Sequence, residues 1–134
     1  MNTNRQWVAL LTEDEDDFAY WQFGFTTWAN HLDLDWFATG DAFFDRADLT
    51  ASPPVALLLD GLVPSNDEPH WLHRILAHGC CRGLAVIMLS DNFTDAEREQ
   101  YTALGAIDFI IKPANQLELE KAVLSIRQHT TAKN

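Results

Sequence analysis

A doubly wound α/β sandwich, a five-stranded parallel sheet with helices on both faces, is the fold class that these 134 residues predict. Three observations lead to it. Val55 to Leu59 is apolar without alternation, as in a strand buried on both faces in the middle of a parallel sheet. Strand-like runs and helix-patterned stretches alternate five times along the chain. The apolar runs stop abruptly on polar residues, Asp60, Ser90 and Lys112 among them, where an open α/β sheet places its ligand site.

The elements follow in order. Trp7 to Leu11 reads as the first buried strand and runs into Thr12-Glu13-Asp14-Glu15-Asp16-Asp17. Acids in a row suit a solvated loop or a helix N-terminus, where Asp16 or Glu15 serves as the cap. From Asp17 to Leu32 the residues Phe18, Trp21, Phe25, Trp28, Ala29 and Leu32 recur at helical spacing and form the core-facing stripe. Tyr20 and Phe23 fall off that stripe, on the flank facing water. Scattered exposed aromatics are normal, and two on one helix also suit a docking face.

Leu34 to Ala38 is a short second strand, followed by a weak helix from Thr39 or Gly40 through Phe43, Phe44 and Ala47. Pro53 and Pro54 turn the chain into the Asp60 strand. A helix from about His70 to His78 ends at Gly79 or Gly83. Leu84 to Leu89 is the fourth strand, ending on Ser90. Ala96 to Leu104 is a helix closed by Gly105, and Ile107 to Ile111 is the fifth strand. Asn115 caps a last amphipathic helix, with Leu117, Ala122 or Leu119, Val123 and Ile126 facing inward. With no repeat or linker, one domain over residues 1–134 is expected, its core at about 7–128.

Composition narrows the function. Twenty acidic against nine basic residues give a net charge of −11, a field that repels nucleic acid. No apolar run approaches the ~20 residues of a membrane span, and the N-terminus lacks a signal-peptide pattern. The cytoplasm is the expected compartment. The only cysteines, Cys80 and Cys81, are adjacent; a bridge between neighbours is strained, so reduced thiols are expected. His70, His73 and His78 precede them at spacings that match no closed zinc pattern.

Parallel strands bring their carboxyl ends to one edge, which here collects Glu13, Asp14, Asp60, Ser90 and Lys112. Three carboxylates together repel one another unless a cation sits among them, and a hard divalent ion such as Mg²⁺ suits their oxygens. A lysine and a hydroxyl complete what a transferring phosphoryl group needs: neutralised oxygens and an attacking carboxylate.

The order and spacing of these residues resemble the receiver domain of two-component response regulators, whose fold is the CheY/flavodoxin-like sandwich. The likeness spans about Trp7 to Gln128. It is carried by Glu13-Asp14, by Asp60-Gly61-Leu62-Val63-Pro64, by Ser90, by Gly105-Ala106 and by Phe109-Ile110-Ile111-Lys112-Pro113. The resemblance implies that Asp60 is the phosphoacceptor, phosphorylated in a Mg²⁺-dependent reaction by a histidine kinase or a histidine phosphotransfer protein. It implies direct metal binding by Asp14, Asp60 and the Leu62 backbone carbonyl, with Glu13 acting through water. Ser90 and Lys112 would hold the phosphoryl oxygens, and Phe109 would turn inward on activation to alter binding of a downstream protein. Lys112-Pro113 would be a cis peptide. Partner docking would use Tyr20 and Phe23 beside the site. Such a protein is a switch, with only self-phosphorylation and self-dephosphorylation chemistry.

Asp91 departs from the family, which favours a small residue after the hydroxyl. It motivates the alternative of a degenerate receiver acting as a phosphorylation-independent interaction module. Gly61 and Val63 also depart, without removing a chemical group. A phosphohydrolase of the haloacid-dehalogenase type is disfavoured, because Leu62 stands where the second acid of its D-x-D would be.

Overall fold

The computed structural model describes residues 5–49, 52–60, 68–81 and 83–131. Their strands are β1 (Gln6–Leu11), β2 (Leu32–Phe37), β3 (Ala56–Leu59), β4 (Ala85–Ser90) and β5 (Asp108–Ile111). The α-helices are α1 (Glu15–Trp28), α2 (Gly40–Leu49), α3 (Glu68–Ala77), α4 (Asp95–Leu104) and α5 (Gln116–Thr131), with a 3-10 turn at Gly79–Cys81. All pairings are parallel, in the order β2-β1-β3-β4-β5. The predicted doubly wound sandwich is the fold.

Each strand sends alternate side chains into two cores. Val8, Leu10, Leu58, Ile87 and Leu89 face α1 and α5, with Trp21, Phe25, Leu119, Val123 and Ile126. Ala9, Leu11, Leu57, Leu59, Val86 and Met88 face the opposite layer, with Phe43, Trp71, Leu72, Ile75 and Tyr101. This explains why the central strands read as unbroken apolar runs: both faces are covered.

Helices α1 and α5 approach closely at Gly24, where an added Cβ would lie 2.9 Å from Val123 Cγ2 and 3.0 Å from Leu119 Cγ. The Arg127 guanidinium donates to the Trp28 carbonyl at 3.0 Å and so satisfies one of the open carbonyls ending α1. Gly105 ends α4 at φ +119, a left-handed conformation that glycine adopts without a Cβ clash. Thr94 and Glu97 form a reciprocal capping box at its start. Asn115 accepts from the Glu118 N–H at 2.9 Å, the cap that was predicted for the last helix.

Several boundaries differ from the sequence reading. Helix α1 stops at Trp28, and Leu32 opens β2, because the chain turns with the Leu32 N–H on the Ala29 carbonyl. The α1 cap is Asp14, not Asp16 or Glu15. Leu117 is 62% exposed: it lies in the first turn of α5, while Leu119, Ala122, Val123 and Ile126 meet the sheet. Phe18 is half-buried, stacked on Trp36 at 5.3 Å. Cys81 is buried and disulfide-bonded, where reduced thiols were expected.

Candidate functional site

Strand order reverses direction between β1 and β3, the two strands that continue outward on opposite sides. The crevice outside their carboxyl ends is where an open α/β sheet accepts ligands. Register aligns the strand tips there. Leu11 pairs with Leu59, so Thr12 and Asp60 stand side by side one residue beyond. The ladder continues past the strands: the Asp60 N–H donates to the Leu11 carbonyl at 2.9 Å, Thr12 N–H to Phe37 at 3.1 Å, and Lys112 N–H to Ser90 at 2.9 Å.

Asp60 is 9% exposed, at the tip of a strand whose four residues are all buried. A buried carboxylate is costly unless paired. Its Oδ2 lies 2.6 Å from Lys112 Nζ and accepts the Thr12 hydroxyl at 3.1 Å. Lys112 Nζ also meets Asp17 Oδ2 at 3.0 Å. Burial acts most strongly on the lysine and disfavours its charge, but hydrogen bonds and attraction from Asp60 and Asp17 prevail and hold its pKa above 10.5. Stability from this raised pKa is fully present below pH 10.5 and is lost as pH climbs through the higher folded value.

Thr12 is 1% exposed and ties the two acids of the site together. Its hydroxyl donates to Asp60 and accepts the Asp14 N–H at 3.2 Å. Its carbonyl accepts the Trp36 indole N–H at 2.8 Å, which fastens the tip of β1 to β2. Asp14 and Glu13 are exposed at the rim, and Asp14 Oδ1 accepts the Asp16 N–H at 2.8 Å as the cap of α1. Ser90 is half-buried. Leu59 pairs with Met88, so Ser90 stands one residue beyond the level of Asp60, its Oγ 3.4 Å from the Asn92 N–H. Asp91 is exposed.

Phe109 is half-buried at the edge strand, with Phe93 at 5.1 Å and Tyr101 at 6.4 Å between ring centres. The Arg98 guanidinium stands 5.3 Å from the Phe109 ring. Tyr20 (36%) and Phe23 (49%) are exposed on α1 as predicted, Phe23 edge-on to Trp28. The Leu62 carbonyl, with Gly61, Val63 and Pro64, lies outside the described residues.

Among the described residues no three His, Cys, Asp or Glu side chains converge as a metal-binding group, in the histidine-rich α3 region or at the strand ends. The donors still fit a hard cation that keeps several waters: such an ion needs only one or two carboxylates, and the Thr12 hydroxyl, donating to the Asp60 carboxylate and accepting the Asp14 backbone N–H, keeps the two residues adjacent. Direct ligation would fall to Asp14 and Asp60, with Glu13 acting through water. Mutual repulsion of the three acids is less than their sequence spacing suggests, because Lys112 neutralises Asp60 and the rim acids face solvent.

Asp14 has a structural duty as the cap of α1. Asp14→Ala should lower stability by about 1 kcal/mol through loss of the α1 cap, whereas Asp14→Asn, which can still cap, should stay within a few tenths. Urea melts without divalent ions check this. Higher stability in the alanine variant would mean that repulsion outweighs the cap.

Two residues of the site were missed in the sequence. Thr12 opens the acidic run and looks like part of the loop, although a hydroxyl directly after a buried run is a usable signal. Asp17 looks like no more than the start of a helix; its place one turn after Asp14 puts both on one side of α1.

No family model matches the chain, and no curated protein sequence matches it. Solved structures do. A phosphorylated cyanobacterial phytochrome response regulator, RcpA, is 18% identical, with 98% of this chain and 97% of that chain covered and a TM-score of 0.80. The Mn²⁺-bound form of the response regulator Rcp1 is 19% identical over 96% of both chains, at 0.75. The chemotaxis response regulator CheY4 of Vibrio cholerae is 13% identical, covering 92% of this chain and 99% of that one, at 0.73. The chain has the fold of response-regulator receiver domains.

Proposed function

We propose that this chain, built on the receiver fold, is the phosphoacceptor switch of a two-component His–Asp phosphorelay in the cytoplasm, with Asp60 as the residue phosphorylated. The observation that carries the reading is the Lys112 ammonium 2.6 Å from Asp60 Oδ2 at the carboxyl end of the central strand. An Asp60 oxygen attacks the phosphorus of a phosphohistidine on a kinase or phosphotransfer protein. The P–N bond breaks, its electron pair returns to the imidazole nitrogen, and an acyl phosphate forms on Asp60. Lys112 offers its charge to the phosphoryl oxygens, and Ser90 offers a hydroxyl donor from the neighbouring strand tip.

A divalent ion held by Asp14 and Asp60, Mg²⁺ by expectation, would supply the remaining charge neutralisation; the Mn²⁺ in Rcp1 supports a metal of this kind. Phe109 sits on the edge strand between α4 and α5, where inward rotation of its ring would change the face offered to a downstream protein. Incubation with acetyl phosphate and Mg²⁺, followed by mass spectrometry, tests the proposal. One acid-labile phosphoryl group per chain is expected, and a chain that stays unlabelled would leave the phosphorylation-independent module as the better reading.

Docking of the phosphohistidine partner would fall on α1, which borders the Asp60 edge and exposes Tyr20 and Phe23. Tyr20→Ala with Phe23→Ala should leave labelling by acetyl phosphate nearly unchanged and slow transfer from a cognate phosphohistidine protein by about tenfold or more. Equal slowing with the small donor would show that the effect is not docking.

A further inference from the structure

Lys112 Nζ lies between two carboxylates from different elements: Asp60 Oδ2 beyond β3 at 2.6 Å, and Asp17 Oδ2 on α1 at 3.0 Å. Only about a quarter of each side chain of the Lys112–Asp17 pair is exposed, 26% and 27%, so solvent screens it less than a surface pair. Asp60 alone would neutralise the ammonium. The α1 N-terminus, already capped by Asp14, explains why an acid is welcome in its first turn. It does not explain why that acid reaches a lysine 95 residues away in the chain.

A lysine is a point charge on a flexible four-carbon stem, and one partner leaves it free to pivot. Two partners on separate rigid elements fix where Nζ stands. We infer that Asp17 is a positioning residue for phosphoryl transfer, holding the Lys112 ammonium over Asp60 from the side of α1. The inference rests on Asp60 being the phosphoacceptor. As phosphorus bonds to Asp60, the charge to be met moves outward from the carboxylate onto the phosphoryl oxygens. An ammonium tethered at Asp17 stays in that space instead of swinging into solvent. Asp17 need not touch the phosphoryl group; it acts through Lys112.

Labelling rates with acetyl phosphate and Mg²⁺, followed by mass spectrometry over a range of donor concentrations, test this. Asp17→Asn, nearly isosteric, should lower the maximal rate about tenfold with little change in the half-saturating donor concentration, the signature of misplacement and not of weaker binding. Asp17→Glu, which restores the charge, should recover to within about threefold of the wild type. In a Lys112→Ala background, Asp17→Asn should slow labelling no further, because the two residues act as one unit. Should Asp17→Asn fold poorly by thermal melt, Asp17→Ser serves in the same cycle.

Wild-type rates in Asp17→Asn, or faster ones, would overturn the inference, as would an equal loss with and without Lys112. Absence of label on the wild-type chain would remove the phosphoacceptor reading and this inference with it, a result seen before any variant is made.

Discussion

Asp60→Asn is expected to take labelling by acetyl phosphate from one group per chain to none. The amide keeps the size of the side chain and can still accept the Thr12 hydroxyl, which reaches Asp60 Oδ2 at 3.1 Å. It lacks the anionic oxygen that attacks phosphorus, and an amide is no substitute nucleophile. It also leaves Lys112 with Asp17 as its remaining carboxylate contact among those described. The fold should survive, because the four strand residues before Asp60 are wholly buried and make no use of its charge. Acid-labile label persisting on the variant would place the acceptor elsewhere, and exposed Asp91, next to Ser90, would be the first residue to map.

Phe25→Ala is expected to have the largest effect on stability. Phe25 is 1% exposed on α1, inside the core formed with Val8, Leu10, Leu58, Val123 and Ile126. Truncating a buried phenylalanine removes its transfer energy and leaves a cavity, a loss of about 3–5 kcal/mol. Against a total of ~5–15 kcal/mol for a domain of ordinary stability, that is a large share. Urea unfolding should show a lower midpoint with an unchanged slope. Neighbouring Phe23, exposed and edge-on to Trp28, should lose less than about 1 kcal/mol in the same substitution. Comparable losses at both positions would contradict the assignment of faces on α1.

That contrast marks what periodicity could decide. Apolar spacing along α1 separated Trp21 and Phe25 from Tyr20 and Phe23 correctly, because a helix with one sheet to cover must bury one stripe. The same spacing misjudged Leu117 and overstated Phe18, both near helix N-termini. A stripe continues on paper after the sheet beneath it has ended, and a linear pattern does not say where that happens.

The site divides in the same way. Sequence alone determined that Asp60, Ser90 and Lys112 end successive parallel strands, since unbroken apolar runs specify buried strands and parallel strands share one edge for their tips. It determined the acidic rim at Glu13 and Asp14 as well. What only the tertiary structure decided is the wiring: Lys112 held by Asp17 as well as Asp60, Thr12 bridging Asp60 to Asp14, and Asp14 spent on the cap of α1. Those links join residues 48 and 95 positions apart in the chain, or depend on which way one side chain turns at a helix end. No local pattern encodes them. They arise because packing α1 against the sheet brings its first turn to the strand tips, where a buried carboxylate and a partly buried ammonium must find partners.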